Sequence, residues 1–372
     1  MPDRLKVGIV GCGMIAQVSY LNYLSELDDR FEIAAICDVC EPVARAVSER
    51  YRVPVIHASW SDLVASELDV VMVLTAGAHA PAAVAAARAG KHVFVESPMC
   101  LGLDEGREML EAAGAAGVCL MVGTMRRYDP AYERLLELMP LDGLRLVAVT
   151  TVGSPGQPRP GARPLVPPAP PPAGVAAALR DEEERRLAAA LPDGDAEARH
   201  CYRRVLLDSL VHDLSMLRGV LGEPDVVYQA RLGRTVTDIS LGFGPAQAHL
   251  SWVDLPGFAR HQRELAFYAP DRRVTLTMPS PYLRGTPSLL TIEGDEAGLP
   301  HGSRTVELVS HEDAFRRELI EFHAAITGGR APRTSGIDGL HDVALCQAIA
   351  RSHSTGKPVG LPSMLPAWAG LA

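Results

Sequence analysis

Six residues near the N-terminus constrain this chain more than any other feature: Gly11-Cys12-Gly13-Met14-Ile15-Ala16, set between the apolar run 5–10 and a segment of helical spacing, 14–26. A G-x-G-x-x-A sequence at a strand-to-helix turn permits a tight turn at Gly11. It also lets backbone N–H groups at Gly13 approach a pyrophosphate and lets the helix pack closely at Ala16. The motif alone is weak, but its context strengthens it. The next strand-like run, 32–37, is followed by Asp38, where a carboxylate can accept both hydroxyls of an adenosine ribose and repels the extra phosphate of NADP. The expectation is an NAD site formed by Gly11, Cys12, Gly13, Met14, Ile15, Ala16 and Asp38.

The same alternation continues downstream. Short β-branched runs at 5–10, 32–37, 69–74, 92–95 and 119–122 are separated by segments of helical spacing at 14–26, 42–51, 81–89 and 103–116, the signature of βαβ units on a parallel sheet. The fold class is therefore α/β, with a Rossmann-type, doubly wound parallel sheet over residues 1–125. From residue 144 strand-like runs follow one another directly, at 144–152, 225–232, 236–243, 247–255, 264–268 and 273–278, with Gly244-Pro245 at a hairpin turn. Residues 126–372 are expected to form an α+β domain with a largely antiparallel open sheet and helices at 202–221, 313–327 and 340–353. An insertion at 154–200 interrupts it. Proline is too dense between Pro155 and Pro172 for helix or sheet and favours an extended loop, after which 175–191 has helical spacing. The insertion reads either as a surface addition or as a lid, since it leads directly into the helix with the best catalytic candidates.

A net charge of −9 offers no attraction to nucleic acid or an anionic membrane, so neither is an expected partner. The apolar run 7–18 follows Asp3, Arg4 and Lys6 as in a secretory leader, but it carries a Gly-x-Gly turn instead of ending at a small-residue cleavage site. The uncharged stretch 70–87 is interrupted by Gly77, His79 and Pro81 and reads as a strand followed by a helix, not as a membrane span. A cytoplasmic protein with seven reduced cysteines follows. Cys37 and Cys40 form an isolated C-x-x-C, and the histidines show no ligand spacing, so no metal is expected.

The stretch Gly90-Lys91-His92-Val93-Phe94-Val95-Glu96-Ser97-Pro98 resembles the GKHV-x-x-EKP strand of the glucose-fructose oxidoreductase, inositol dehydrogenase and MocA (Gfo/Idh/MocA) family. Arg126-Arg127-Tyr128-Asp129-Pro130 is similar to that family's R-F-x-P segment, and Asp208-Ser209-Leu210-Val211-His212 to its D-x-x-x-H motif. Glu318 to Phe322, Asp338 to Leu340 and Ser352 to Pro362 match its C-terminal pattern. The resemblance covers most of the chain outside the insertion. It implies a nucleotide-binding domain and a second domain whose open sheet supports homodimers or homotetramers. The implied activity is hydride transfer between nicotinamide and a carbinol carbon of a small sugar, cyclitol or related polyol. The implied catalytic residues are Asp208, His212 and the residue at the lysine position, here Ser97. Thr75, Ala76, His79, Glu96 and Arg127 complete the expected cofactor-binding set.

Serine in place of that lysine is the central departure. The chain has only three lysines, Lys6, Lys91 and Lys357, against 33 arginines, but a bias towards arginine does not predict serine. A lysine supplies a cation beside the reacting oxygen, whereas serine supplies only a hydrogen bond. If the lysine acts as a typical preorganised donor, its loss costs roughly 3 kcal/mol. Three readings stay open: an NAD-dependent oxidoreductase relying on His212, an enzyme of the same fold performing elimination, epimerisation or hydrolysis without net redox, or a catalytically silent binding protein. Asp208 and His212, four residues apart on a helix, share a face and can meet. Asp213 points about 100° away from His212 and is assigned to packing or capping.

Overall fold

The computed structural model describes residues 4–153, 166, 170–258, 261–295 and 302–361. Six parallel strands form the first sheet: β1 (Leu5–Val10), β2 (Phe31–Cys37), β3 (Val55–His57), β4 (Val70–Val73), β5 (His92–Glu96) and β6 (Leu120–Gly123). Their order is β3-β2-β1-β4-β5-β6. This is a doubly wound sheet, and its order reverses between β1 and β4, where a crevice opens at the strands' carboxyl ends. β4 is buried along its whole length, as a parallel strand covered on both faces requires. β3 and the following helix Trp60–Ala65 were not foreseen, because a three-residue strand that is largely exposed has no apolar run to announce it.

The second sheet contains β7 (Leu146–Gly153), β8 (Val226–Arg231), β9 (Val236–Phe243), β10 (Ala246–Asp254), β11 (Gln262–Tyr268), β12 (Arg272–Met278), β13 (Leu289–Asp295), β14 (Gly302–Leu308) and β15 (Val359–Gly360). The order is β14-β13-β12-β11-β7-β10-β9-β8-β15, in which only β7 and β10 run parallel. The β9–β10 hairpin turns at Gly244 with φ +56°. β13 and β14 extend the expected sheet. The described side chains of β14 are almost all exposed, so it carries no buried pattern to read.

The sheets are separate but their cores are not. Helix Ala314–Gly328, which belongs to the second half of the chain, packs Phe315, Leu319, Phe322 and Ile326 into the core of the first sheet. Tyr20 meets Phe94 and Phe315 edge to face at 5.3 and 5.4 Å, and Phe94 meets Phe322 at 5.3 Å. Residue 125 therefore separates sheets, while the C-terminal helix returns to seal the first domain.

Helix Ala173–Ala190 forms within the insertion as the spacing predicts. Of the proline-rich stretch Pro155–Pro172, only Val166 and residues 170–172 are among the described residues. Val166 donates its N–H to Gln17 Oε1 at 2.8 Å, and Pro170 O lies 4.0 Å from Cys40 Sγ, so the insertion touches the nucleotide-binding edge. Among the described residues no helix is long and apolar enough to cross a membrane, and all seven cysteines are free thiols.

Candidate active site between the two sheets

The turn after β1 has the geometry its glycines require. Gly11 adopts φ +96°, and a Cβ there would lie 2.9 Å from Thr75 N, so a side chain is excluded by both backbone strain and contact. Gly13 is exposed, and a Cβ there would meet nothing within 4 Å, leaving open surface in front of the helix that Ala16 seats on the sheet. Asp38 accepts the N–H of Cys12 at 2.7 Å and that of Cys40 at 2.8 Å, one on each oxygen. Each oxygen retains capacity for a further donor. Thr75 Oγ1 is buried without a partner, an orphan that a bound group would satisfy. Gly13, Asp38 and Thr75 thus fit a dinucleotide along this edge. His79 is a strut: its ring nitrogens lie 2.8 Å from Pro98 O and 2.7 Å from Thr75 O, tying the loop after β4 to the loop after β5. Burial lowers its pKa.

A cleft of about 850 Å³ lies between the sheets. Met14, Ile15, Thr75, Ala76, Glu96 and Ser97 line one side, and Arg126, Arg203, Asp208, His212, His261 and Arg263 are among those lining the rest. The structure therefore brings Ser97, Asp208 and His212 to one cavity, but it does not pair them as the spacing predicts. Asp208 binds Arg203, and Arg204 at 3.2 Å. His212 Nδ1 is buried with no partner among the described residues. Charge explains the difference, since two guanidiniums compete for the carboxylate with charge-assisted bonds that a neutral imidazole cannot match. Burial, then Arg263 and Arg126, holds the His212 pKa well below the usual imidazole range, so the ring is neutral.

Ser97 donates its hydroxyl to Glu96 Oε2 at 3.2 Å, and its N–H donates to the same oxygen at 2.6 Å. Glu96 is buried, which pushes its carboxyl up to about 7 against the opposing hydrogen bonds from Tyr20 and Ser97. Behind it Tyr20 OH lies 2.9 Å from Glu96 Oε1 and 3.2 Å from Glu318 Oε2. One hydroxyl proton cannot serve two carboxylates. Glu318, fully buried and raised well above the carboxylate range first by burial and then by Glu96, keeps its own proton and donates it to the Tyr20 oxygen while Tyr20 donates to Glu96. A hydrogen-bonded row thus runs from Glu318 through Tyr20 and Glu96 to Ser97 at the cleft surface.

Arg127, expected among the cofactor-binding residues, is not among those that line the cleft. Its Nη1 donates to Ser215 O at 2.9 Å and lies 3.6 Å from Asp338 Oδ2, which ties the turn after β6 to helix Val211–Leu221. Its neighbour Arg126 faces the cleft instead. Asp213, assigned to packing from the sequence, is completely buried and pairs with Arg263 at 3.0 Å. Arg203 is held by Glu183 of the insertion helix at 2.5 Å and donates to Ala76 O at 2.6 Å. The insertion therefore supports the rim of the site. Sequence reasoning missed Arg126, Arg203 and Arg263. The pair Arg126-Arg127 was the one visible signal, and the expectation fell on Arg127, whereas Arg126 lines the cleft.

The comparisons agree with this fold. Residues 5–124 match the family model described as oxidoreductase family, NAD-binding Rossmann fold, and residues 273–361 match its C-terminal alpha/beta domain. Myo-inositol 2-dehydrogenase of Thermotoga maritima is 27% identical over 375 residues, covering 97% of this chain and 100% of the relative. A D-xylose 1-dehydrogenase (NADP(+)) of Haloferax volcanii is 28% identical over 364 residues, covering 95% and 99%. The solved structure of levoglucosan dehydrogenase with NADH and L-sorbose superposes with a TM-score of 0.76 at 16% identity, covering 97% of this chain and all of that one. This chain belongs to the Gfo/Idh/MocA family of NAD-binding oxidoreductases.

Proposed function

We propose that the protein oxidises, or in reverse forms, a carbinol carbon of a hydroxylated small molecule such as a sugar, cyclitol or related polyol, with NAD as cofactor. The observation that carries this reading is that the nucleotide edge and the free imidazole of His212 open onto one cavity. When bound, NAD supplies the acceptor for the hydride. His212, neutral and unpartnered, accepts the hydroxyl proton of the alcohol and returns it in the reverse direction. Ser97 hydrogen-bonds the reacting oxygen and is itself held by its hydrogen bond to Glu96, so it positions the hydroxyl whose single proton passes to His212. Asp208 serves this site by holding Arg203, not by orienting His212.

The relatives support the substrate class, because those compared above are named for inositol, xylose and levoglucosan. The exposed apolar residues Tyr228, Val236, Val306 and Leu308 on the second sheet support assembly of homodimers or homotetramers through that sheet. The test is near-ultraviolet absorbance of NADH when the enzyme, NAD and a panel of polyols and sugars are mixed, with His212→Ala as the control. NADH formation abolished in His212→Ala, with NAD affinity unchanged, is the expected result. Bound NAD without NADH formation from any polyol or sugar would transfer the assignment to chemistry without net redox.

A further inference from the structure

Four arginines line the cleft, and three have carboxylate partners: Arg203 with Glu183 and Asp208, Arg204 with Asp208, and Arg263 with Asp213. Arg126 has none. It is 5% exposed, its Nε is buried with no partner, and its one hydrogen bond among the described residues runs from Nη1 to Met278 Sδ at 3.3 Å. A thioether is a weak acceptor. Asp129 and Asp213 attract it only at longer range, since Asp129 is already taken by Ser288 and the backbone of Ala131 and Asp213 by Arg263 and Thr151. A guanidinium withdrawn from water without a counter-ion is an incomplete ion pair, and this one faces the substrate cavity beside a second buried guanidinium. The neighbouring imidazole nitrogens His212 Nδ1 and His261 Nε2 are likewise buried and unpartnered among the described residues.

We propose that the substrate is a polyol bearing an oxyanion, a carboxylate or a phosphate, and that Arg126 binds that group. The planar fork of a guanidinium suits either oxyanion. Binding has a second consequence for chemistry. Arg126 and Arg263 both disfavour the protonated form of His212, so an anion that compensates their charge makes His212 a stronger base only when substrate is in place. The cation lost with the family lysine is thereby replaced by one that recognises substrate charge. The proposal rests on the redox reading only for the hydroxyl that is oxidised, since the oxyanion site is argued from Arg126 itself.

The test uses the NAD-loaded protein and two matched series: glycerol, D-glycerate and glycerol 3-phosphate, then D-glucitol, D-gluconate and D-glucitol 6-phosphate. Binding is followed by calorimetry and thermal shift. In at least one series an anionic member should bind at least about tenfold more tightly than its neutral parent, a preference worth about 1.4 kcal/mol. Whether it is the carboxylate or the phosphate identifies the class. Arg126→Gln should abolish the preference and Arg126→Lys retain part of it, with NAD affinity unchanged in both. Arg126→Gln without ligand should melt no lower than wild type, because it removes an uncompensated charge; a lower melting point would mark a structural arginine and overturn the proposal. Neutral parents binding as tightly as their anions in both series, a preference surviving Arg126→Gln, or a loss of NAD affinity would overturn it too. NADH formation, followed in parallel, separates the two readings. Anion preference without NADH refutes the redox assignment alone, and NADH from neutral polyols without anion preference refutes this one alone.

Discussion

Tyr20→Phe should destabilise the protein in a pH-dependent way. Burial raises Glu96 from 4.5 to about 7, so its folded pKa lies above its unfolded value. Such a group leaves stability intact below about pH 4.5 and removes it as the pH rises through about 7, a loss of about 3 kcal/mol once both states are ionised. Glu318, also raised by burial, contributes with the same sign. The Tyr20 hydroxyl opposes the Glu96 penalty by donating at 2.9 Å to the ionised form, and a hydrogen bond to a charged group contributes about 2 kcal/mol, against about 1 kcal/mol for a neutral one. Removing it therefore costs roughly 2 kcal/mol or more near pH 8 but roughly 1 kcal/mol near pH 5, where Glu96 is protonated in wild type and variant alike. At roughly 2–4 °C per kcal/mol for a domain of this size, the melting deficit should be several degrees larger at the higher pH. Thermal denaturation followed by circular dichroism at the two pH values measures it directly. An equal deficit at both would refute the protonation row and leave Tyr20 as a packing residue.

Three further outcomes are expected. Asp38→Asn keeps an acceptor for only one of the Cys12 and Cys40 N–H groups and removes the charge, so the preference for NAD over NADP should fall by roughly tenfold or more, read from titrations with each nucleotide; an unchanged preference would displace Asp38 from the ribose. Ser97→Ala should slow turnover by roughly tenfold to a hundredfold with melting unchanged, since it breaks the link between Glu96 and the reacting oxygen without disturbing the core. Ser97→Lys should preserve or raise NADH formation from a polyol, because it places a cation beside Glu96 at the end of β5; if neither variant alters the reaction, position 97 is outside the reacting site.

Much of the fold was legible because its signals are local. The runs of β1, β2, β4, β5 and β6 sit between helices of clear spacing, and the Gly11 turn can be read from three small residues. β3 and β14 were not legible, since exposed strands have no alternation to show. Nor could the sequence show that helix Ala314–Gly328 crosses back to bury Glu318 against Tyr20, a contact between residues at opposite ends of the chain. Motif spacing placed Ser97, Asp208 and His212 in one cleft, but spacing does not state competition. Arg203 and Arg204 precede Asp208 by five and four residues, and they take the carboxylate that the motif would assign to His212.

The arginines explain why the missing lysine misled a residue-by-residue reading. Charge at an active site is a property of the cavity and not of one position, so the loss of a cation on β5 can be compensated from the turn after β6 or from β11. Arg126 and Arg127 are identical in sequence and adjacent, and only the fold separates them. Arg127 is fixed to Ser215 and Asp338 at the junction with helix Val211–Leu221, while Arg126 lines the cleft beside Met278 and has no ion pair among the described residues. A substitution that exchanged their environments would have to move the backbone, whereas neutralising each in turn separates their roles: Arg127→Gln should lower the melting point without changing the charge preference for ligands, and Arg126→Gln should do the reverse.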